Sequence, residues 1–355
     1  MASKQKSTGP IKIAIAGLGR AGWDIHAGII KGRSDFKLVA AIDKVAERRA
    51  EAEATFPGCR AYENWADFIK DPNGAEVVVI ATLSATHAPM TRDALKAGLH
   101  VVVEKPMALT LKDVDTMIAA AKKARRVLTV HHNHRCDAYL HHMISIINSG
   151  LLGRVYFVKN FSGRFARRND WQTLKKNGGG TLNNTGPHTI DQCLQVLQSP
   201  VAKVDADLQV CITSGDAEDH VKLLIHGTNG RVIDMEVSDA CAFAQPPWVV
   251  YGTLGTLIQE GGDFVIKYLD PKKLRKLKVI DASAVPNRKY GVIGGDTLEW
   301  QEKRVKANLP EFQLDYYTLL HASIRQRKPV LVSPESVREG IRVIELARKS
   351  VQRKG

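Results

Sequence analysis

Between residues 11 and 22 the chain reads IKIAIA and then Gly17-Leu18-Gly19-Arg20-Ala21-Gly22, with a helical pattern opening at the last glycine. A β-branched run that stops on GxGxxG and turns straight into a helix leaves few folds open. Gly17 suits the tight turn, Gly19 lets a pyrophosphate approach the backbone, and Gly22 allows the helix to pack closely on the strand. The N–H groups around Leu18, Arg20 and Ala21, with the positive end of the helix dipole, then face the phosphates. Asp43 ends the next strand pattern 21 residues beyond Gly22, where an acidic residue meets the adenine ribose hydroxyls. Its carboxylate repels a 2′-phosphate and so favours NAD over NADP. Lys44 beside it and Arg48 one turn later soften that choice and keep NADP open.

Four more apolar runs continue the theme: FKLVAAID (36–43), EVVVIAT (76–82), HVVVEK (100–105) and VLTVHHN (127–133). Near-continuous runs of this kind mark parallel strands buried on both faces, and the intervening segments around 21–31, 44–55, 87–97 and 111–124 carry helical spacing. The alternation predicts an α/β chain that starts with a Rossmann-type, doubly wound parallel sheet. From about residue 138 the rhythm changes. A helical stretch, AYLHHMISIIN, runs toward Gly150; the strand RVYFVKNF follows, and six more runs, from VAKVDADLQVCI to KLKVI, fill residues 201–280. Alternation such as VIDMEVS predicts a large open, mainly antiparallel sheet in a second, α+β domain. The expected division is 1–135 and 136–355. Two helices, 311–326 and 334–351, close the chain and are candidates to pack back on the first domain; Ser333-Pro334-Glu335-Ser336 is the start signal of the second. Residues 281–310 lack periodicity and read as loop.

At 355 residues the chain is longer than one core readily serves, which agrees with two domains. Its 51 Lys+Arg exceed 37 Asp+Glu by 14, yet the basic residues fall in short scattered groups rather than on one aromatic-laced face. Solubility and attraction of anionic ligands are expected, not a nucleic-acid partner. No apolar run is long enough for a membrane span, so no membrane partner is expected. The first ten residues, MASKQKSTGP, lack the apolar core of a leader and read as a frayed lead-in. Five scattered cysteines without a CxxC pair argue against a disulfide framework and for a reducing, cytoplasmic setting.

Glu104-Lys105-Pro106 follows a strand at the end where open α/β sheets place ligands. Together with GxGxxG and the run Gly178-Gly179-Gly180-Thr181-Leu182-Asn183-Asn184-Thr185-Gly186-Pro187-His188-Thr189-Ile190-Asp191, it resembles the glucose-fructose oxidoreductase / inositol dehydrogenase / MocA (Gfo/Idh/MocA) family over nearly the whole chain. The resemblance implies an NAD(P)-dependent oxidoreductase acting on a secondary hydroxyl of a sugar, sugar derivative or cyclitol. It also implies a homo-oligomer, dimer or tetramer, joined through the open sheet. It places Lys105 and His188 beside the nicotinamide and the reacting carbinol. A His titrating near neutrality, or a Lys with a lowered pKa, is chemically suited to take the hydroxyl proton. Members commonly carry Asp where this chain has Asn184, which holds a hydroxyl but accepts no proton. Asp191, one turn after His188, is either its orienting partner or a structural helix residue.

The resemblance also places Thr82 and His87, Glu104 and Asn133 near the cofactor, and Arg135 near the substrate. Arg164, Arg167 and Arg168, with Trp171, lead from the first strand of the second domain toward the GGG run. They are candidates to clamp an anionic group and to stack on a sugar face, or else form a solvated basic loop. His131, His132, His134, His141 and His142 crowd one short stretch, but neighbours in an extended run face opposite ways, so no metal site is expected. Two other functions stay open. One is a redox-neutral enzyme that oxidises a sugar transiently, eliminates or hydrolyses, and reduces it again; the other is a silent NAD-binding regulator.

Overall fold

The structure is a computed structural model that describes residues 9–277 and 298–352. Six short strands, β1 (Ile11–Ala16), β2 (Phe36–Ile42), β3 (Arg60–Tyr62), β4 (Val77–Ile80), β5 (His100–Val103) and β6 (Leu128–Val130), pair in parallel in the order β3-β2-β1-β4-β5-β6. Val77 to Ile80 and Val101 to Val103 are fully buried, as continuous apolar runs require when helices cover both faces of a sheet. The order reverses between β1 and β4, and the carboxyl ends of these two strands open the crevice where such sheets hold ligands.

The second sheet has eight strands: β7 (Val155–Gly163), β8 (Val201–Gln209), β9 (His220–Gly227), β10 (Val232–Ser238), β11 (Trp248–Gly252), β12 (Gly255–Glu260), β13 (Asp263–Leu269) and β14 (Trp300–Lys306). Their order is β14-β13-β12-β11-β7-β10-β9-β8, and only β7 and β10 run parallel to each other. In β9 Val221, Leu223 and Ile225 are buried and alternate with half-exposed residues, so one face is core and the other stays open.

Two features depart from expectation, and one expected strand falls mostly outside the described residues. Residues 300–306, inside the stretch read as loop, form the edge strand β14; it is polar and mostly exposed, so it shows no apolar period. Of the expected strand KLKVI, only Lys276 and Leu277 lie among the described residues. The first turn after the glycines is π-helical over Ala21–Ala27, followed by an α-turn over Gly28–Lys31. Short β3 and the helix Trp65–Lys70 give too little pattern to read.

The closing helices, Tyr316–Gln326 and Pro334–Gln352, return to the first sheet. Tyr316 Oη donates to the Val130 carbonyl (3.2 Å), Thr129 Oγ1 donates to the Val332 carbonyl (2.8 Å), and Arg338 pairs with Asp115 (2.6 Å). Ser333 Oγ accepts the Ser336 N–H at 3.1 Å, the cap its sequence announced. No helix among the described residues is long and apolar enough to cross a membrane.

Burial leaves a pH signature. It pushes the His132 and His100 imidazoles down to about 4 from the ordinary 6.5, and both are neutral in the folded chain. The unfolded chain therefore binds more protons between those values, so stability falls as pH drops from about 6.5 toward 4. Urea unfolding at pH 7 and pH 5 is expected to differ by on the order of 2 kcal/mol, with His132→Gln removing part of the difference. A midpoint unchanged between these pH values contradicts the assignment.

Candidate active site

One cleft of about 870 Å³ runs from the glycine turn and the end of β2 to the helical segment that starts at Gly186. At its first end Gly17 has φ +89°, and a Cβ there would meet the Ala81 carbonyl at 2.5 Å; on Gly22 it would meet the Gly17 carbonyl oxygen at 1.8 Å. Gly19 lines the cleft with nothing within 4 Å of a Cβ position, which leaves its backbone open to a ligand. Asp43 Oδ2 accepts the Leu18 N–H at 2.7 Å and stands 3.4 Å from Arg48, while Oδ1 accepts the Val45 N–H at 2.9 Å. The carboxylate thus locks the glycine turn to β2 and still lines the cleft with Lys44. Arg20, Ala21 and Thr82 line the same walls, and Thr82 Oγ1 is 2.7 Å from Thr86 Oγ1. These residues fit a dinucleotide.

At the other end Lys105, Asn133, Trp171, Asn184 and His188 come together. Lys105 Nζ donates to the Asn184 carbonyl at 3.0 Å. Burial, with Arg20 and Arg168 nearby, lowers the Lys105 pKa below the ordinary 10.5 even though Glu104 pulls the other way. Burial likewise holds His188 well below 6.5, reinforced by Lys105, His132 and His134. His188 Nδ1 has no hydrogen-bond partner among the described residues. Asn184 Nδ2 donates to Gln172 Oε1 at 2.6 Å, an amide pair that ties the Trp171–Thr173 turn to the base of the site.

Beneath Lys105 lies a buried polar chain that the sequence did not announce. His26 Nε2 (2.9 Å) and His131 Nδ1 (2.7 Å) both donate to Glu104 Oε1, Tyr317 Oη donates to His26 Nδ1 (2.7 Å), and the Lys105 N–H reaches Glu104 Oε2 (3.1 Å). Burial alone would raise the Glu104 pKa, but the two imidazole N–H bonds outweigh it and hold the carboxyl well below its usual 4.5. Burial keeps His26 neutral. His26, Glu104 and His131 have the spacing of a metal cluster, yet every ligand atom in the group is already committed to a hydrogen bond. His26 reaches Glu104 from the π-helical turn. Extra residues in a turn are hard to see in sequence, although His26 in an otherwise apolar helix face was a signal.

Several expected contacts are corrected. Arg135 does not face the cleft: it is buried, with Nε donating to Asp191 Oδ2 at 2.7 Å, a second guanidinium nitrogen on Oδ1, and Nη1 on Ser336 Oγ at 2.9 Å. The same pairing takes Asp191 away from His188, so Asp191 does not orient it. His87 is buried behind the wall, with Nδ1 2.8 Å from the Pro106 carbonyl and Nε2 3.2 Å from the Thr82 carbonyl, and acts on the cleft by holding those two wall segments. Arg164 is spent on Asp239 (2.8 Å) and Arg168 on Asp170 (2.6 Å); neither they nor exposed Arg167 line the main cleft. Asp170, two residues on, and Asp239, just past the end of β10, neutralise what the sequence presents as a basic segment. Gln172 and His134 also line the cleft; the sequence does not single them out as site residues, although each sits beside one that it does.

Residues 11–132 match the family described as "Oxidoreductase family, NAD-binding Rossmann fold", and residues 140–258 match the "GFO/IDH/MocA C-terminal domain". The chain belongs to the Gfo/Idh/MocA family. It is an NAD(P)-dependent oxidoreductase, as its two matched domains and relatives agree. Among Gfo/Idh/MocA relatives, it is 29% identical over 267 residues to "Uncharacterized oxidoreductase YdgJ" of Escherichia coli, covering 75% of this chain and 73% of that one. It is 26% identical over 350 residues to "scyllo-inositol 2-dehydrogenase (NADP(+)) IolW" of Bacillus subtilis, covering 97% and 94%. The fold matches the crystal structure of an NAD-binding protein from Listeria innocua with a TM-score of 0.81 at 22% identity, over 98% of both chains.

Proposed function

We propose that this chain transfers hydride between a nicotinamide dinucleotide and a secondary hydroxyl or ketone of a sugar, sugar derivative or cyclitol, with Lys105 and His188 in the proton transfer. The carrying observation is that one cleft holds both the glycine turn with Asp43 and the Lys105, Asn184 and His188 group. The groups facing its far end are Lys105, amides, imidazoles and Trp171, which suit a polyhydroxylated ligand that is hydrogen-bonded at its edges and stacked on one face. The inositol dehydrogenase among the relatives acts on that kind of compound. When bound, the nicotinamide ring supplies the hydride chemistry. Glu104 fixes the Lys105 backbone, the Asn184 carbonyl fixes Nζ, and Asn184 with Gln172 orients hydroxyls. Asp43 holds the ribose end and favours NAD.

Five free cysteines support a reducing compartment. The open face of the second sheet, with Phe157 and Tyr251 rings 6.0 Å apart and Ile258 exposed, supports association of two copies there.

The test is a panel of inositols, sugars and sugar acids followed at the nicotinamide absorbance band, with NAD+ and NADP+ in parallel. Turnover on a polyol is expected; nucleotide binding without turnover on any of them overturns the reading. In the same assay Asp43→Ser, which removes the repelling carboxylate beside Lys44 and Arg48, is expected to raise the NADP+ to NAD+ ratio of kcat/KM by at least about tenfold. An unchanged ratio removes Asp43 from cofactor choice.

A further inference from the structure

His188 is poorly suited to end the reaction charged. Burial, Lys105 and two neighbouring imidazoles oppose its protonation and outweigh the pull of Glu104, and no carboxylate among the described residues touches it, since residue 184 is Asn and Asp191 is held by Arg135. A second imidazole stands against it. The His134 and His188 rings are 4.8 Å apart and perpendicular, and both line the cleft. His134 Nδ1 is 2.7 Å from Asp137 Oδ2, and its side chain is 43% exposed, so it meets both the cleft and solvent. Asp137 also occupies the cap position of the helix Ala138–Asn148 but makes no side-chain cap bond. Aspartate there ordinarily accepts an N–H of the first turn. Here its carboxylate is turned to His134 instead.

We infer that His134, held and charge-balanced by Asp137, receives the proton that Lys105 and His188 remove from the hydroxyl and passes it to solvent, supplying the imidazole–carboxylate pair that position 184 lacks. The inference rests on the dehydrogenase reading above. In oxidation the carbinol carbon loses hydride to the nicotinamide, the O–H bond breaks with its electron pair forming the carbonyl, and the proton passes through the neutral Lys105 amine and His188 to His134 Nε2. Reduction reverses each transfer. His134 is then the exit of the relay and Asp137 a positioning residue.

With the substrate found by the panel, His134→Gln is expected to lower kcat about 100-fold. NAD+ affinity by fluorescence titration stays unchanged, and added imidazole restores part of the rate because the site is open to solvent. Asp137→Asn lowers kcat with KM unchanged and is not rescued by imidazole. A His134→Gln variant that keeps its rate within about twofold, or a loss that imidazole leaves untouched, overturns the assignment. A second measurement needs no substrate. With 13C-labelled histidine in the full chain, NMR during acid titration reads which ring takes up a proton first. His188 and His132 staying neutral as the pH falls below 6.5 supports the inference, and His188 charging first overturns it. Wild-type inactivity on every hydroxyl compound would sink the dehydrogenase reading, while the order of protonation would still decide the role of His134.

Discussion

Lys105→Met is expected to cut kcat/KM for the oxidised polyol by about 1,000-fold while NAD+ binding stays within about threefold. Methionine keeps most of the apolar stem and removes the ammonium that spans from the Glu104 turn to the Asn184 carbonyl, 3.0 Å from Nζ. Two effects add: the reacting hydroxyl loses a positioned hydrogen-bond partner, and the Thr181–Asn184 turn just before His188 loses its tie to the Glu104-Lys105 segment after β5. The pH profile separates them. Burial and the nearby arginines lower the Lys105 pKa below 10.5, so neutral amine is available at lower pH than for an exposed lysine. In wild type kcat/KM for oxidation rises with pH through that ionisation, whereas in Lys105→Met this limb disappears. A variant that retains both rate and limb excludes Lys105 from proton handling.

The second large effect concerns stability. Arg135 and Asp191 are 7% and 5% exposed in their side chains and bind each other through two nitrogen–oxygen contacts. Asp191→Ala strands a guanidinium in the interior, at a cost of about 3–5 kcal/mol, read as a lower urea midpoint. Replacing both, Arg135→Met with Asp191→Leu, is expected to recover most of that loss, because a packed apolar pair needs no desolvated charge. A single variant that loses under about 1 kcal/mol shows that the pair is hydrated and carries little. Because Arg135 follows Asn133 and His134 in the cleft wall and Asp191 follows His188, the single variant also loosens the site, and its kcat falls before the chain unfolds.

The parallel sheet was legible because strands buried on both faces must be apolar over almost their whole length, and β1, β2, β4 and β5 are, with only Lys12, Lys37 and His100 polar, each at or next to the start of its strand. Gly17, Gly22 and Asp43 were legible because each meets a steric or charge demand that few residues satisfy. The edge strand β14 was not: an exposed strand has no buried face to impose alternation. Charge partners were the weakest part of the sequence reading. Nothing in the segment 164–168 reveals that Asp239, brought alongside by the pairing of β7 with β10, takes up Arg164. Spacing made Asp191 a natural partner for His188, yet a helical i, i+3 relation only offers proximity, and Arg135, 56 positions away in sequence, competes for the same carboxylate with a full charge. The Glu104 chain draws on four separated segments, so only the folded arrangement reveals it.

The return of the last two helices to the first sheet bears on the order of synthesis. Strands β1 to β6 leave the ribosome long before Tyr317, which caps the His26 ring, and before Val332, whose carbonyl takes the Thr129 hydroxyl. The nucleotide half of the molecule cannot settle its buried polar groups until the segment from Tyr317 to Val332 has been translated. Its final locking therefore waits on the second sheet being made first, and a chain stalled after that sheet leaves the Glu104 cluster short of its outer hydrogen bond.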